Sequence, residues 1–329
     1  MYVLGIETSC DETSCAVVKG RRVVSNVVVS SLKYHKKYGG IVPEIATRNH
    51  LKFIDKVLML ALKKAGISLK EISAIGVVYK PGLIGSLIVG VNFAKALCLS
   101  LGKPLIGINH LHSHIYAPFL NNKKRIRFPF LGLVVSGGHT ELFLVKDFDN
   151  IKSVGKTRDD ACGEVFDKVA RAFGLGYPGG IYIDRIFREE FKQSFSFSCA
   201  RIGLDFSFSG VKTAVIYKKM ELEKKNKLDE ETKISILSSF QESVVNTIVS
   251  TTILAAKELA LNRLVCGGGV IANRRLRYLL KEETKKENIE LLLSPKEYCG
   301  DNGACCAGLA FYLHKKGINS GINLSPEAN

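Results

Sequence analysis

The chain has no tryptophan and no CxxC pair, and each absence removes a class of function. Without indole rings, and with 9% aromatic residues, a broad base-stacking platform is not expected. The cysteines are odd in number and scattered, at Cys10, Cys15, Cys98, Cys162, Cys199, Cys266, Cys299, Cys305 and Cys306. That scatter argues against a disulfide framework or a four-thiolate zinc site and for buried free thiols. Also missing are the GxGxxG dinucleotide fingerprint, the Walker GxxxxGK[ST] loop, the HExxH pair of metalloproteases and the GxSxG elbow of serine hydrolases. A dehydrogenase, a P-loop enzyme and a peptidase are thereby disfavoured. The opening MYVLGIETSCDETSC lacks a basic segment followed by an uninterrupted apolar one, so no secretory signal is expected. The longest apolar passage, Ile84 to Leu101, is broken by Asn92 and Lys95, a pattern that suits a packed helix better than a membrane span. A cytosolic protein without a membrane partner is expected.

What is present is enough chain for two cores: 329 residues, 46% hydrophobic. The formal net charge of +16, from 47 Lys and Arg against 31 Asp and Glu, favours a polyanionic partner without identifying it. Residues 2 to 7 and Cys15 to Val18 are apolar runs flanking a polar turn, which predicts strand, turn, strand. The pattern returns in PFLGLVVSGGHTELFLV, from Pro129 to Val145. The echo of GIETSCDETSCAVV in GLVVSGGHTELFLV points to an internal duplication and two α/β lobes with a cleft between them. The basic run NNKKRIR, 121–127, falls near the expected boundary, giving a first lobe of 1–122 completed by 300–329 and a second of 123–299. Helices are predicted over Arg48 to Ala65, Leu83 to Leu101, Asp160 to Phe173, Val211 to Lys225 and Thr232 to Leu261, with another after Ala272. Short strands are predicted at Ile72 to Tyr79, Leu105 to Ile108 and Leu264 to Cys266.

His110 and His114 are four apart, so on a helix both imidazoles leave one face and can meet one ion. An oxygen donor such as Asp301, in CGDNGACC, would complete a divalent site with room for substrate. Three glycine-rich turns suit phosphate: Ser136, Gly137 and Gly138 through exposed backbone N–H groups, Gly267 to Gly269 before a helix start, and Gly179 and Gly180 in a turn after Pro178. Asp11 and Glu12 sit in the first hairpin turn, placed to receive a proton. Asp160, Glu164 and Asp167 are spaced to share a helix face, either as ligands or as partners of Lys156, Arg158 and Lys168. Asp167 and Asp184 flank the YPGG turn as candidate ribose ligands.

The ordered set GIETSCDET, GGIVPEIATRNH, HLHSHIYAPF, LVVSGGHTEL, DDACGEVFDKVAR, YPGG, GLDFSFSGVKT, GGGVIANRRLR and CGDNGA resembles, over nearly the whole chain, the tRNA adenosine threonylcarbamoyltransferase family, whose bacterial members were formerly labelled O-sialoglycoprotein endopeptidases. The resemblance implies duplicated ribonuclease H-like lobes of the actin, hexokinase and Hsp70 ATPase fold. It implies transfer of threonylcarbamoyl from threonylcarbamoyl-AMP to N6 of the adenosine beside the anticodon in tRNAs reading ANN codons, with release of AMP. Carried over residue by residue, His110, His114 and Asp301 match the metal ligands, for Fe(2+) or Zn(2+). Val134, Val135, Ser136, Gly137, Gly138, Asp167, Gly180, Asp184 and Asn273 match positions that hold the adenylate, where ATP or AMP would also sit. Glu12, beside Asp11, matches the acidic pair considered catalytic. The implied partners are tRNA and, in bacteria, a helper paralogue and an ATPase; elsewhere a homodimer or another assembly. A tRNA-binding patch spanning Arg127 and the second lobe is expected. Lys80 replaces the first Gly of the usual GPGLxGSL turn, Ile181 replaces the Pro of GGP, and GINLSPEAN lacks the basic and aromatic tail often present. The alternatives are an ATP-hydrolysing or sugar-phosphorylating enzyme of the same fold and a non-catalytic, nucleotide-regulated RNA-binding subunit.

Overall fold

The structure, a computed structural model, describes residues 1–200 and 202–328. The chain divides into two compact units, 1–127 with 294–329, and 128–293.

The first unit opens with β1 (Tyr2–Glu7), β2 (Glu12–Lys19) and β3 (Arg22–Ser30), an antiparallel meander. A short helix α1 (Leu32–His35) leads to α2 (Pro43–Ala65), which starts at a proline whose fixed φ and missing N–H suit a first helical turn. That start lies earlier than Arg48, where apolar periodicity first becomes visible. It ends on Gly66, left-handed at φ 67°. Then follow β4 (Ile72–Lys80), α3 (Ile84–Leu101), β5 (Leu105–Asn109) and α4 (His110–Tyr116). The sheet order is β3-β2-β1-β4-β5, with β4 and β5 parallel to β1.

Alternation along β1 decides what covers each face. Leu4 and Ile6 join the core under α2 and α3, each fully buried and contributing about 1.5–3 kcal/mol. Gly5 between them faces the other way. There a side chain would collide with the backbone of Gly303 and Ala307, so the missing Cβ lets a helix lie directly on the strand. Helix α3 is apolar enough, at mean hydropathy 1.8, to cross a membrane by length and composition, yet it buries Leu87, Val91 and Ala94 in this core.

The second unit repeats the plan: β6 (Phe130–Val135), β7 (Thr140–Asp147) and β8 (Asn150–Lys156) form an antiparallel meander. Next come α5 (Cys162–Ala172), α6 (Gly179–Ile186), α7 (Ser209–Lys224), α8 (Glu230–Glu258), β9 (Arg263–Gly267), α9 (Arg274–Lys286) and β10 (Glu290–Leu293). The order β10-β9-β6-β7-β8, with β9 and β10 parallel to β6, is the first sheet's order and sense. The fold is α/β and duplicated, as the hairpin echo implied. The chain then returns to the first unit, where α10 (Gly303–Lys315) packs on β1, β2 and β4.

Three expectations need correction. Asp160 precedes α5 instead of sharing its face with Glu164 and Asp167, because it ion-pairs with Lys168 and Lys212 in the approach to the helix. Gly179 and Gly180 open helix α6 instead of lying in a turn, with Pro178 as its cap residue. Glu12 is the first residue of β2, leaving only Asp11 in the turn.

Candidate functional site

In the first unit, Asn109 ends β5 and caps α4, its side chain accepting from Leu111 N at 2.8 Å and His112 N at 3.2 Å. The cap sets the start of the helix, so His110 and His114 leave the same face one turn apart, both buried. Their rings lie 4.7 Å apart at 78°. Asn302 caps α10 by accepting from Cys305 N at 3.1 Å, which brings the preceding residue, Asp301, to the same place. Asp301 Oδ1 stands 3.2 Å from His114 Nε2 and 3.6 Å from His110 Nε2.

A residue outside the predicted set orients the first imidazole. Glu7 closes β1 almost fully buried, and its Oε2 lies 3.0 Å from His110 Nδ1 while Oε1 accepts from Ser9 N at 2.6 Å. Ser9 Oγ also approaches His110 Nδ1, at 3.1 Å. With Nδ1–H given to Glu7, the Nε2 lone pair is left toward Asp301, the tautomer a metal-ligating histidine needs. The sequence signal for Glu7 was a lone charge closing an otherwise apolar strand.

The electrostatics ask for a cation. Burial pulls the His110 imidazole down, but Asp301 and then Glu7 outweigh it and push it up to about 9. A proton is thus held where a metal ion would supply the charge. One ligand atom from each of His110, His114 and Asp301 lies within 4.8 Å of the others, a donor set of two imidazoles and a carboxylate that fits zinc or ferrous iron. Beside them, Glu12 is held well above the usual carboxylate range by burial first, then by Asp301 and Asp11. The Cys10 thiol is pushed up by burial and the same carboxylates, which keeps it unreactive.

In the second unit the predicted residues outside the SGG turn and its strand form two groups. Asp167, on α5, accepts from Gly179 N at 2.6 Å, so its carboxylate covers the start of α6, where Gly180 lies. Burial raises its pKa, opposed by the amides of Gly179 and Gly180. Asp184, on α6, receives Arg274 N at 3.1 Å and Arg274 Nε at 3.0 Å. Asn273 caps α9 by accepting from Leu276 N at 2.9 Å and donates to Gln241 Oε1 at 3.0 Å. Arg274 and Gln241 were not anticipated. The signal for Arg274 was its place next to Asn273.

The SGG turn departs from expectation at one atom. Ser136 N donates back to His139 O at 2.8 Å, because the turn closes on itself, so that N–H is not offered to phosphate. The N–H groups of Gly137 and Gly138 have no partner among the described residues, and a side chain on either glycine would meet nothing within 4 Å. These two amides are the available anion donors. Val134 and Val135 are buried in β6 and can act only through their backbone. Gly268, at φ 99°, lies against the backbone of Val135, which holds the GGG turn to the strand end beside the SGG turn.

The departures also have structural partners. Lys80 Nζ pairs with Glu327 Oε2 at 2.8 Å instead of standing free for phosphate. Ile181 is exposed on α6. The tail lies along the first unit, with Ser320 N donating to Leu105 O and Glu327 N to Tyr79 O.

Comparison with known proteins matches this arrangement to its relatives. Residues 22–308 match the family described as tRNA N6-adenosine threonylcarbamoyltransferase. The protein of that name from Thermosipho africanus is 47% identical over 332 residues, covering 100% of this chain and 99% of its own. One from Clostridium botulinum is 45% identical, covering 99% and 96%. Among solved structures, full-length HypF in a phosphate- and nucleotide-bound form aligns with TM-score 0.62 at 16% identity, covering 97% of this chain and 47% of that one. The ROK hexokinase from Thermus thermophilus aligns with TM-score 0.50 at 15% identity, covering 97% and 100%. Those two likenesses concern the fold alone. The sequence matches span the histidine pair and nearly the full chain, and the chain belongs to the tRNA N6-adenosine threonylcarbamoyltransferase family.

Proposed function

We propose that the chain transfers the threonylcarbamoyl group of threonylcarbamoyl-AMP to N6 of the adenosine beside the anticodon in tRNAs reading ANN codons, with release of AMP. The observation that carries the reading is the meeting of His110, His114 and Asp301, in a chain of this family, as a donor set for one divalent ion, Fe(2+) or Zn(2+). Bound there, the ion would supply Lewis-acid polarisation of the carbamoyl carbonyl. Glu7 fixes the His110 tautomer, and Asp301 supplies negative charge.

The amides of Gly137 and Gly138 hold the adenylate phosphate, while Asp167, Gly180, Asp184 and Asn273 orient its nucleoside. Asp184 reaches the ribose only by sharing its carboxylate with Arg274. The N6 lone pair is delocalised into the purine, so positioning dominates: N6 attacks the carbonyl carbon, the bond to the AMP phosphate oxygen breaks, and Glu12 or Asp11 takes the N6 proton. Glu12, held above the usual carboxylate range by burial and by Asp301, is the stronger base of the two in its ionised form. ATP or AMP would occupy the adenylate place. The reading includes a cytosolic setting and, in a bacterium, a helper paralogue and an ATPase partner.

The test is to incubate purified protein with synthesised threonylcarbamoyl-AMP and unmodified tRNA, with and without those partners. Threonylcarbamoylated adenosine in the digested tRNA is the expected product. ATP loss alone would instead mark a phosphotransfer enzyme, and RNA binding without either product a non-catalytic subunit.

A further inference from the structure

We propose that a basic groove on the first unit, lined by Lys33, Tyr34, Lys36, Lys37, Arg48 and Lys52, is a docking surface for the phosphate backbone of single-stranded RNA. The inference rests on RNA being the substrate and names where its loop strand is gripped. The groove, of about 640 Å³, runs between α1 with its following turn and the first three turns of α2. Among the described residues, Arg48 alone of its five cations is ion-paired, to Glu44 at 2.5 Å across an exposed helix turn. The four lysines face water without a carboxylate partner, an arrangement that repels itself unless an anion runs between them.

Two features favour RNA over other anions. The lining side chains are exposed, so the groove suits an extended backbone better than a small ligand, which binds where it can be enclosed. Tyr34 and Tyr38 are 38% and 52% exposed, with the ammonium groups of Lys33 and Lys37 over their rings at 4.9 and 4.8 Å. Exposed rings interleaved with cations suit unstacked bases and their phosphates together.

The segment is held in place from within. Val42 N donates to His35 Nδ1 at 3.2 Å, which leaves the proton of neutral His35 on Nε2, 2.9 Å from Ser31 Oγ. Ser31 Oγ in turn donates to Asp11 O at 2.9 Å. A buried chain of hydrogen bonds therefore ties the groove to the hairpin that carries Asp11 and Glu12. A strand lying in the groove would be placed in register with those carboxylates.

The experiment measures affinity for fluorescently labelled, unmodified tRNA across a salt series, using full-length protein with its metal content quantified. Lys36→Glu with Lys37→Glu is expected to weaken binding roughly tenfold or more at low salt and to flatten the salt slope by about 2, near one per lost phosphate contact. Lys36→Arg with Lys37→Arg keeps affinity and slope. Tyr34→Ala weakens binding at least about fivefold through lost stacking, with the slope unchanged. Wild-type affinity and slope in the double Glu variant would overturn the proposal, as would loss of an acidic protein partner with RNA binding intact. Modification of tRNA at an unchanged KM by that variant would overturn it while leaving the proposed reaction standing. RNA held through the groove by a wild-type protein that forms no product would support it and sink the reaction instead.

Discussion

The two units share one strand order and one hairpin meander, yet the corresponding turns carry opposite chemistry. In the first, the turn after β1 gathers carboxylates: buried Glu7 on His110, buried Asp11 in the loop and half-buried Glu12 opening β2. In the second, the turn after β6 is Ser-Gly-Gly-His, with no carboxylate and with two amides uncommitted among the described residues. A duplicated scaffold has thus separated side-chain chemistry from backbone chemistry. One copy gathers imidazoles and acids suited to a cation; the other presents N–H groups suited to an anion.

The largest expected effect breaks the first half of that contrast. Asp301→Ala should abolish metal retention and lower transfer by more than about 10²-fold, measured by elemental analysis and product formation, with adenylate affinity little changed. Next is a control on the scaffold of the second unit. There Arg275 forks onto Glu242 at 2.7 and 2.8 Å, both buried, so Glu242→Ala should cost about 3–5 kcal/mol by leaving the buried guanidinium with a 3.4 Å contact to exposed Glu189 in place of the fork. Denaturant titration reads that loss, and the metal content should not move.

Smaller changes sharpen the comparison. Glu7→Gln keeps the shape of the contact to His110 but not its charge, and should weaken metal binding about 10–100-fold in a chelator competition. Asn273→Ala removes the cap of α9, worth about 1 kcal/mol, and should weaken adenylate binding without affecting metal content. The last effect is on pH. Burial and then Lys80 lower His112 to about 4, so between about 6.5 and that value the unfolded chain binds a proton that the folded chain refuses. Stability should therefore fall on acidification through this window by at most about 1.4 kcal/mol per pH unit, and His112→Gln should flatten the slope.

What could be read from sequence was what is local. The hairpin echo, the spacing of His110 and His114 and the αL glycine after Ala65 are set by neighbouring residues. Asp301 was reachable only as a candidate oxygen donor, because its approach to His114 spans 187 positions and depends on how α10 lies on β1. Glu7 was hidden inside an apolar run. The start of α6 was hidden because paired glycines read as a turn, whereas Asp167 supplies the carboxylate that covers its first amide. The strands β3, β8 and β10 were not predicted; β8 is a polar edge strand and β10 is only 4 residues long. Ser136 was misassigned at a single atom, since its N–H is spent inside its own turn.

The central claim is that His110, His114 and Asp301 hold a divalent ion on which transfer depends. It is tested most directly by replacing His110 with Ala and measuring bound metal and threonylcarbamoyl transfer on the same preparation. The account predicts that tight metal binding and transfer are lost together. Normal transfer in a His110→Ala protein shown to be metal-free would contradict it.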